Sequence, residues 1–179
     1  TVIFRNDETG ETDRSSFEIL RKGKSLFKQK GSHFYPGGLT EEDRKDNSLT
    51  RMGNDITGDG IPNLVVGEWT GGAHAAFYVH VFQIGKTFRK LGTINSENSA
   101  EAHFEKRGGD SNLIFLALDW TFAYWNASFG ESATGPVILR YQKDGYHLVS
   151  DLMQKPTPTE KQLKAKAALV IKDYQAKLY

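Results

Sequence analysis

Asp55-Ile56-Thr57-Gly58-Asp59-Gly60-Ile61-Pro62-Asn63, running into Leu64-Val65-Val66-Gly67-Glu68-Trp69, is the stretch whose reading decides the fold. Oxygen-bearing side chains recur at Asp55, Thr57, Asp59 and Asn63. If every second side chain turns inward, a tight loop gathers these oxygens at one point. Gly60 permits the bend that returns Asn63 toward Asp55, and the Ile61 carbonyl supplies a further oxygen. Such a donor set suits Ca²⁺, a hard cation taking about 6–8 oxygen ligands at roughly 2.3–2.6 Å. The competing reading is a turn whose Asx side chains bond their own backbone and bind nothing.

The spacing matches the first half of an EF-hand loop and then departs from it. Val66 stands where the twelfth-position glutamate belongs, no helical period precedes Asp55, and a strand-like run follows Asn63. The stretch resembles instead the calcium loop of the FG-GAP and VCBS repeat family, found in integrin-like propeller blades. In that pattern an acidic, glycine-rich loop enters an apolar strand. Asp55, Thr57, Asp59 and Asn63 fall on its ligand positions, and Leu64-Val65-Val66 on its strand. Thr57 and Asn63 keep the oxygen and drop the charge, so the resemblance implies a weaker site that fills at high Ca²⁺.

The second half of the chain echoes the first. Gly58-Asp59 recurs as Gly109-Asp110, and Glu68-Trp69-Thr70 as Asp119-Trp120-Thr121, at one offset of 51 residues. Apolar runs lie between the anchors in both copies, and strand pairs follow: 79–84 with 88–94, and 137–141 with 146–149. Gly85-Lys86 and Lys143-Asp144-Gly145 are the hairpin links. Ser32-His33-Phe34 and Ala102-His103-Phe104 read as the strands entering each unit. A period near 50 residues marks a repeated supersecondary unit that buries its faces against its neighbour. Lys106, Gly108 and Ile114 replace Asp55, Thr57 and Asn63 in the second loop, leaving Asp110 alone. One metal site is expected, not two.

The fold class expected is therefore β-rich α+β, in a single domain over 1–179. It comprises an N-terminal hairpin region (1–38), repeat units at 51–95 and 102–153, and a C-terminal amphipathic helix at 157–179. Thr1 to Arg5 reads as a short strand, Gly10 as a turn, and Phe17, Ile19 and Leu26 alternate about Lys22-Gly23 as a hairpin. Lys22, Lys24, Lys28 and Lys30 read as its solvated face. Residues 39–50 are dense in charge and read as a surface connector.

Thr157, Pro158 and Glu160 read as a capped helix start. Leu163, Ala167, Val170, Ile171, Tyr174 and Leu178 then form one apolar stripe. The stripe is expected to lie on a sheet or cover its open edge. The alternative is a helix that binds a partner or a membrane surface.

The 23 basic and 22 acidic residues leave a formal charge of +1, which excludes a strongly basic nucleic-acid binder. No apolar run reaches the ~18 residues of a membrane span. There is no cysteine, so disulfides, thiolate catalysis and cysteine-bound zinc are excluded. The first residue is Thr1, which fits trimming or removal of a leader. Absence of cysteine does not fix the compartment; a loop suited to millimolar Ca²⁺ adds weight to an expected place outside the cytoplasm, periplasmic, cell-surface or secreted.

Two further sets of residues carry chemistry. Glu68 and Asp119, at matching places in the units, suggest a glycosidase-type acid/base pair and hence a cell-envelope hydrolase as the rival function. His74 and His80 near Glu68 lack the helical spacing of a zinc protease. No serine has the setting of a nucleophile elbow. Trp120, Phe122, Tyr124 and Trp125 form the densest aromatic group; alternation along a strand sets the first three on one face. They read as core, or as a face that stacks on a glycan or a protein segment. The preferred function is a non-catalytic, calcium-stabilised interaction module.

Overall fold

A computed structural model describes residues 1–7, 14–72 and 76–176. Gly10, His74 and Leu178 lie outside the described residues. The fold is mainly β: among the described residues, eleven strands form three antiparallel sheets. The N-terminal sheet holds β1 (Val2–Arg5), β2 (Ser15–Arg21) and β3 (Lys24–Gly31) in that order. Lys22 and Gly23 both take left-handed backbone, φ 50° and 77°, as a two-residue hairpin turn matched to strand twist requires. Lys24, Lys28 and Lys30 stand in solvent.

The central sheet is a meander of β4 (His33–Pro36), β5 (Asn63–Trp69), β6 (Phe77–Gln83) and β7 (Arg89–Asn95). The outer sheet repeats it with β8 (His103–Glu105), β9 (Ile114–Asp119), β10 (Gly135–Gln142) and β11 (Gly145–Leu148). β5 and β9 are each the second strand of their meander, and each follows one of the two related loops.

Strand alternation on β5 and β6 makes the central sheet the middle layer. Leu64, Val66 and Phe82 turn toward the N-terminal sheet and pack on Phe17 and Ile19. Val65, Val79 and Val81 turn the other way, onto Phe104, Phe115 and Ala117 of the outer sheet. A sheet buried on both faces reads as a continuous apolar run, hence Leu64-Val65-Val66. Each large side chain so buried contributes about 1.5–3 kcal/mol. Side chains also tie the layers. Arg21 donates to the carbonyls of Ile84, Gly85 and Lys86 at the β6–β7 turn. Asn6 pairs with both backbone groups of Phe34, closing the edge of β4 as a strand would.

Three expectations are corrected. The connector 39–50 is anchored and partly buried, with Leu39, Asp43, Ser48 and Thr50 inside. Asp43 Oδ2 accepts from the Thr40 amide and hydroxyl at 3.1 and 2.8 Å, so burial satisfies the carboxylate instead of exposing it. The segment after β9 is a run of turns, not a strand; Tyr124 and Asn126 adopt positive φ, which breaks alternation.

The third concerns the end of the chain. A short α1 (Ser150–Met153) sets Met153 against Ile138. α2 (Glu160–Ala176) then stands clear of the sheets, with every described side chain exposed. Its capping box is Thr159 with Gln162: Thr159 Oγ1 accepts from the Gln162 amide, and Gln162 Oε1 from the Thr159 amide at 2.8 Å. The start thus falls two residues beyond Thr157, because Thr159 and Gln162 carry the reciprocal donors and acceptors.

Candidate functional site

The Asp55 loop sits between β4 and β5, and four side-chain oxygens meet inside it. Thr57 Oγ1 lies 3.3 Å from Asp55 Oδ1, 3.1 Å from Asp59 Oδ1 and 3.4 Å from Asn63 Oδ1. The backbone wraps around them. Asp55 accepts from the amides of Thr57, Gly58 and Gly60, at 3.1, 2.7 and 2.7 Å. Asp59 accepts from Ile61 N at 3.0 Å. Asn63 Oδ1 accepts from Ile56 N at 2.8 Å, which fixes the amide with its oxygen inward. Gly58 and Gly60, at φ 75° and 78°, make the coil possible.

Two features of this arrangement pull in different directions. The amide bonds are those of an Asx-rich turn that holds itself together. Yet Thr57 has one hydroxyl proton and three acceptor oxygens within 3.4 Å, so two of those approaches are oxygen against oxygen. Asp59 Oδ1 and Asn63 Oδ1 each accept one N–H and keep a second lone pair, whereas Asp55 Oδ1 already accepts two. The donor set is all hard oxygen, with two carboxylates, and it fits a cation of the Ca²⁺ type. The charge count is low: among the described residues, no group of three or more His, Asp or Glu side chains is placed to hold a metal. Thr57 and Asp59 also border a shallow cavity with Arg89 and Lys143. Arg89 directs its guanidinium to the Tyr141 hydroxyl, at 3.1 Å.

The second loop packs directly on the first. Leu113 N donates to Ile56 O at 2.9 Å. A Cβ on Gly58 would fall 2.7 Å from Ser111 Oγ. Asp110 in this loop is paired with Arg140 of β10, so an arginine supplies its positive charge.

Glu68 and Asp119 are not brought together. Glu68 is 8% exposed and turns toward the N-terminal sheet, where Oε2 lies 2.7 Å from His80 Nε2 and accepts from Gln29 Nε2 at 3.0 Å. Thr93 Oγ1 partners His80 Nδ1 at 3.0 Å. Asp119 lies at the solvent end of the outer sheet and accepts from the Thr121 hydroxyl and amide. The hydroxyl first, then the amide, holds the Asp119 carboxyl below its usual range. An acid/base pair needs two carboxyls across one cleft, and the central sheet separates these. Gln29 escaped the sequence reading; the available signal was a glutamine at an inward position of β3.

The aromatic group divides. Trp120 stacks on Phe129, ring centroids 4.4 Å apart and 4° from parallel, and donates from Nε1 to Ser99 Oγ. Phe122, Tyr124 and Trp125 are 50%, 57% and 67% exposed. The loop therefore presents three rings on an aromatic base and is not core. A cleft of about 470 Å³ was not foreseen from the sequence. It opens between the connector and the β8–β9 edge, lined by Leu49, Phe104, Leu116 and Leu118 among others.

No family model matches this chain, and no curated protein or solved structure matches it either.

Proposed function

We propose that the chain is a non-catalytic, calcium-stabilised binding module of FG-GAP/VCBS type that works outside the cytoplasm. The observation that carries this reading is the surplus of acceptors around Thr57: three oxygens, two of them carboxylate, about one proton. A cation held by Asp55, Thr57, Asp59, the Ile61 carbonyl and Asn63 relieves that repulsion and fixes the entry to β5. The repeat of one four-stranded meander, each with its loop before the second strand, supports the family likeness. The exposed Phe122, Tyr124 and Trp125 serve as the contact face for a protein or glycan partner. The separation of Glu68 from Asp119 removes the geometric basis of the hydrolase reading.

Thermal melting tests the ion. Calcium at a hundredfold excess over its dissociation constant adds ~2.7 kcal/mol, which is roughly 5–10 °C in Tm for a chain of this length. The shift disappears with chelator and in Asp59→Ala. Equal midpoints with and without calcium in the unaltered chain leave the loop a self-bonded turn and end the proposal.

A further inference from the structure

We infer that the cavity between the Asp55 loop and the β10–β11 hairpin binds the carboxylate of a sugar acid of the uronate class. Calcium in the loop strengthens that hold, a half of the inference that rests on the function proposed above. The cavity encloses about 350 Å³, at the small end of the ~300–1,000 Å³ range of ligand sites, which suits a single ring. Thr57 and Asp59 of the loop form one wall. Arg89, the first residue of β7, and Tyr141, Gln142 and Lys143, running from the end of β10 into its turn, form the other.

The second wall carries two unspent cations. Arg89 uses only Nη2, on the Tyr141 hydroxyl at 3.1 Å and Gln83 Oε1 at 3.5 Å. Its Nε and Nη1 have no acceptor among the described residues, and no carboxylate there pairs with Arg89 or Lys143. Arg140, one strand away, is by contrast already paired with Asp110. A carboxylate takes guanidinium N–H donors in pairs. The rest of the lining suits ring hydroxyls. Tyr141 accepts from Arg89 and keeps its own O–H to donate, and the Gln142 amide both donates and accepts. No aliphatic side chain lines the cavity. Asp55 and Asp59 offset the charges of Arg89 and Lys143, so without a cation the surroundings are near neutral. A divalent cation in the loop leaves them positive and favours an anion. By linkage the anion then tightens calcium binding by the same factor.

Calorimetric titration of the whole chain with sodium glucuronate, with and without calcium, tests this; glucose, acetate and sulfate are the comparators. Glucuronate is expected to bind most tightly with calcium present and about fivefold or more weaker without it. Acetate and sulfate bind more weakly, and glucose does not bind. Arg89→Ala and Lys143→Ala, at exposed side chains, each weaken glucuronate about tenfold or more, as loss of a charged hydrogen bond does. The calcium shift in Tm persists in both. Acetate or sulfate matching glucuronate, or two variants that bind it like the unaltered chain, overturns the inference. So does the absence of glucuronate binding in a chain that calcium stabilises, a result that spares the calcium reading. Glucuronate binding that both variants lose, in a chain that calcium does not stabilise, upholds the cavity and ends the calcium reading instead.

Discussion

Glu68 on β5 and Asp119 on β9 occupy matching places in two sheets of the same topology, and their surroundings differ completely. Glu68 belongs to the middle layer, so its side chain meets Gln29 and His80 across a sheet interface. Asp119 belongs to the last layer, and Thr121 of its own turn partners it. The same contrast separates the loops. Asn63 pairs in register with Gln83, while Ile114 at the equivalent place pairs with Arg140. The outer unit thus exchanges an inward oxygen for an apolar side chain and adds a guanidinium for Asp110. Layer position, rather than local sequence, decides what a repeated residue does here.

The largest effect is expected where that difference is greatest. Glu68→Ala leaves His80 and Gln29 without their buried acceptor, and each buried donor left unsatisfied costs about 1–3 kcal/mol. Asp119→Ala, on the surface, changes stability by no more than about 0.5 kcal/mol. Paired urea titrations check this. Because the Asp119 pKa is lowered on folding, its small contribution is present above ~3.9 and fades as pH falls through the folded value. Similar losses in the two variants contradict the layer assignment.

Next in size is a glycine pair. Gly58→Ala places a methyl 2.7 Å from Ser111 Oγ and 2.9 Å from Asn112 N, on backbone at φ 75°. A cost of about 1–3 kcal/mol follows. At the repeat-equivalent Gly109 a Cβ meets open space without positive φ. Gly109→Ala therefore gains about 0.4–1 kcal/mol by restricting the unfolded chain. Opposite signs in thermal or urea unfolding show that the two loops pack face to face as described. A loss at both positions breaks that comparison.

Much of this was legible in the sequence, for a physical reason. Strands β5 to β7 and β9 to β11 announce themselves through apolar runs and glycine turns, which are local signals. The shared offset of 51 residues falls on the two sheets that have the same meander topology. What stayed hidden depends on distant partners. The burial of Asp43 needs Thr40 to satisfy it, and the loop after β9 turns because Tyr124 N finds Ser132 Oγ. Alternation in Trp120, Phe122 and Tyr124 looked like a strand because periodicity does not register two positive φ angles. The stripe on α2 reads as a covered face, yet amphipathicity says only that a face seeks cover, not where the cover lies.

The smallest stability change discriminates best between the loops. Asp110 and Arg140 form a pair whose side chains are 47% and 27% exposed, and such pairs are worth about 0–1 kcal/mol. Asp110→Ala therefore barely moves the midpoint without calcium. It also leaves the calcium shift intact, since Lys106, Gly108 and Ile114 stand in the outer loop where the first loop has Asp55, Thr57 and Asn63. Asp59→Ala removes that shift although Gly58-Asp59 and Gly109-Asp110 are the same dipeptide. If Asp110→Ala instead abolishes the calcium response, the ion binds between the loops, and Arg140 must leave its carboxylate when calcium arrives. A salt-sensitive midpoint in the unaltered chain that becomes insensitive in Asp110→Ala would reveal that exchange, because the exposed ion pair is screened by salt.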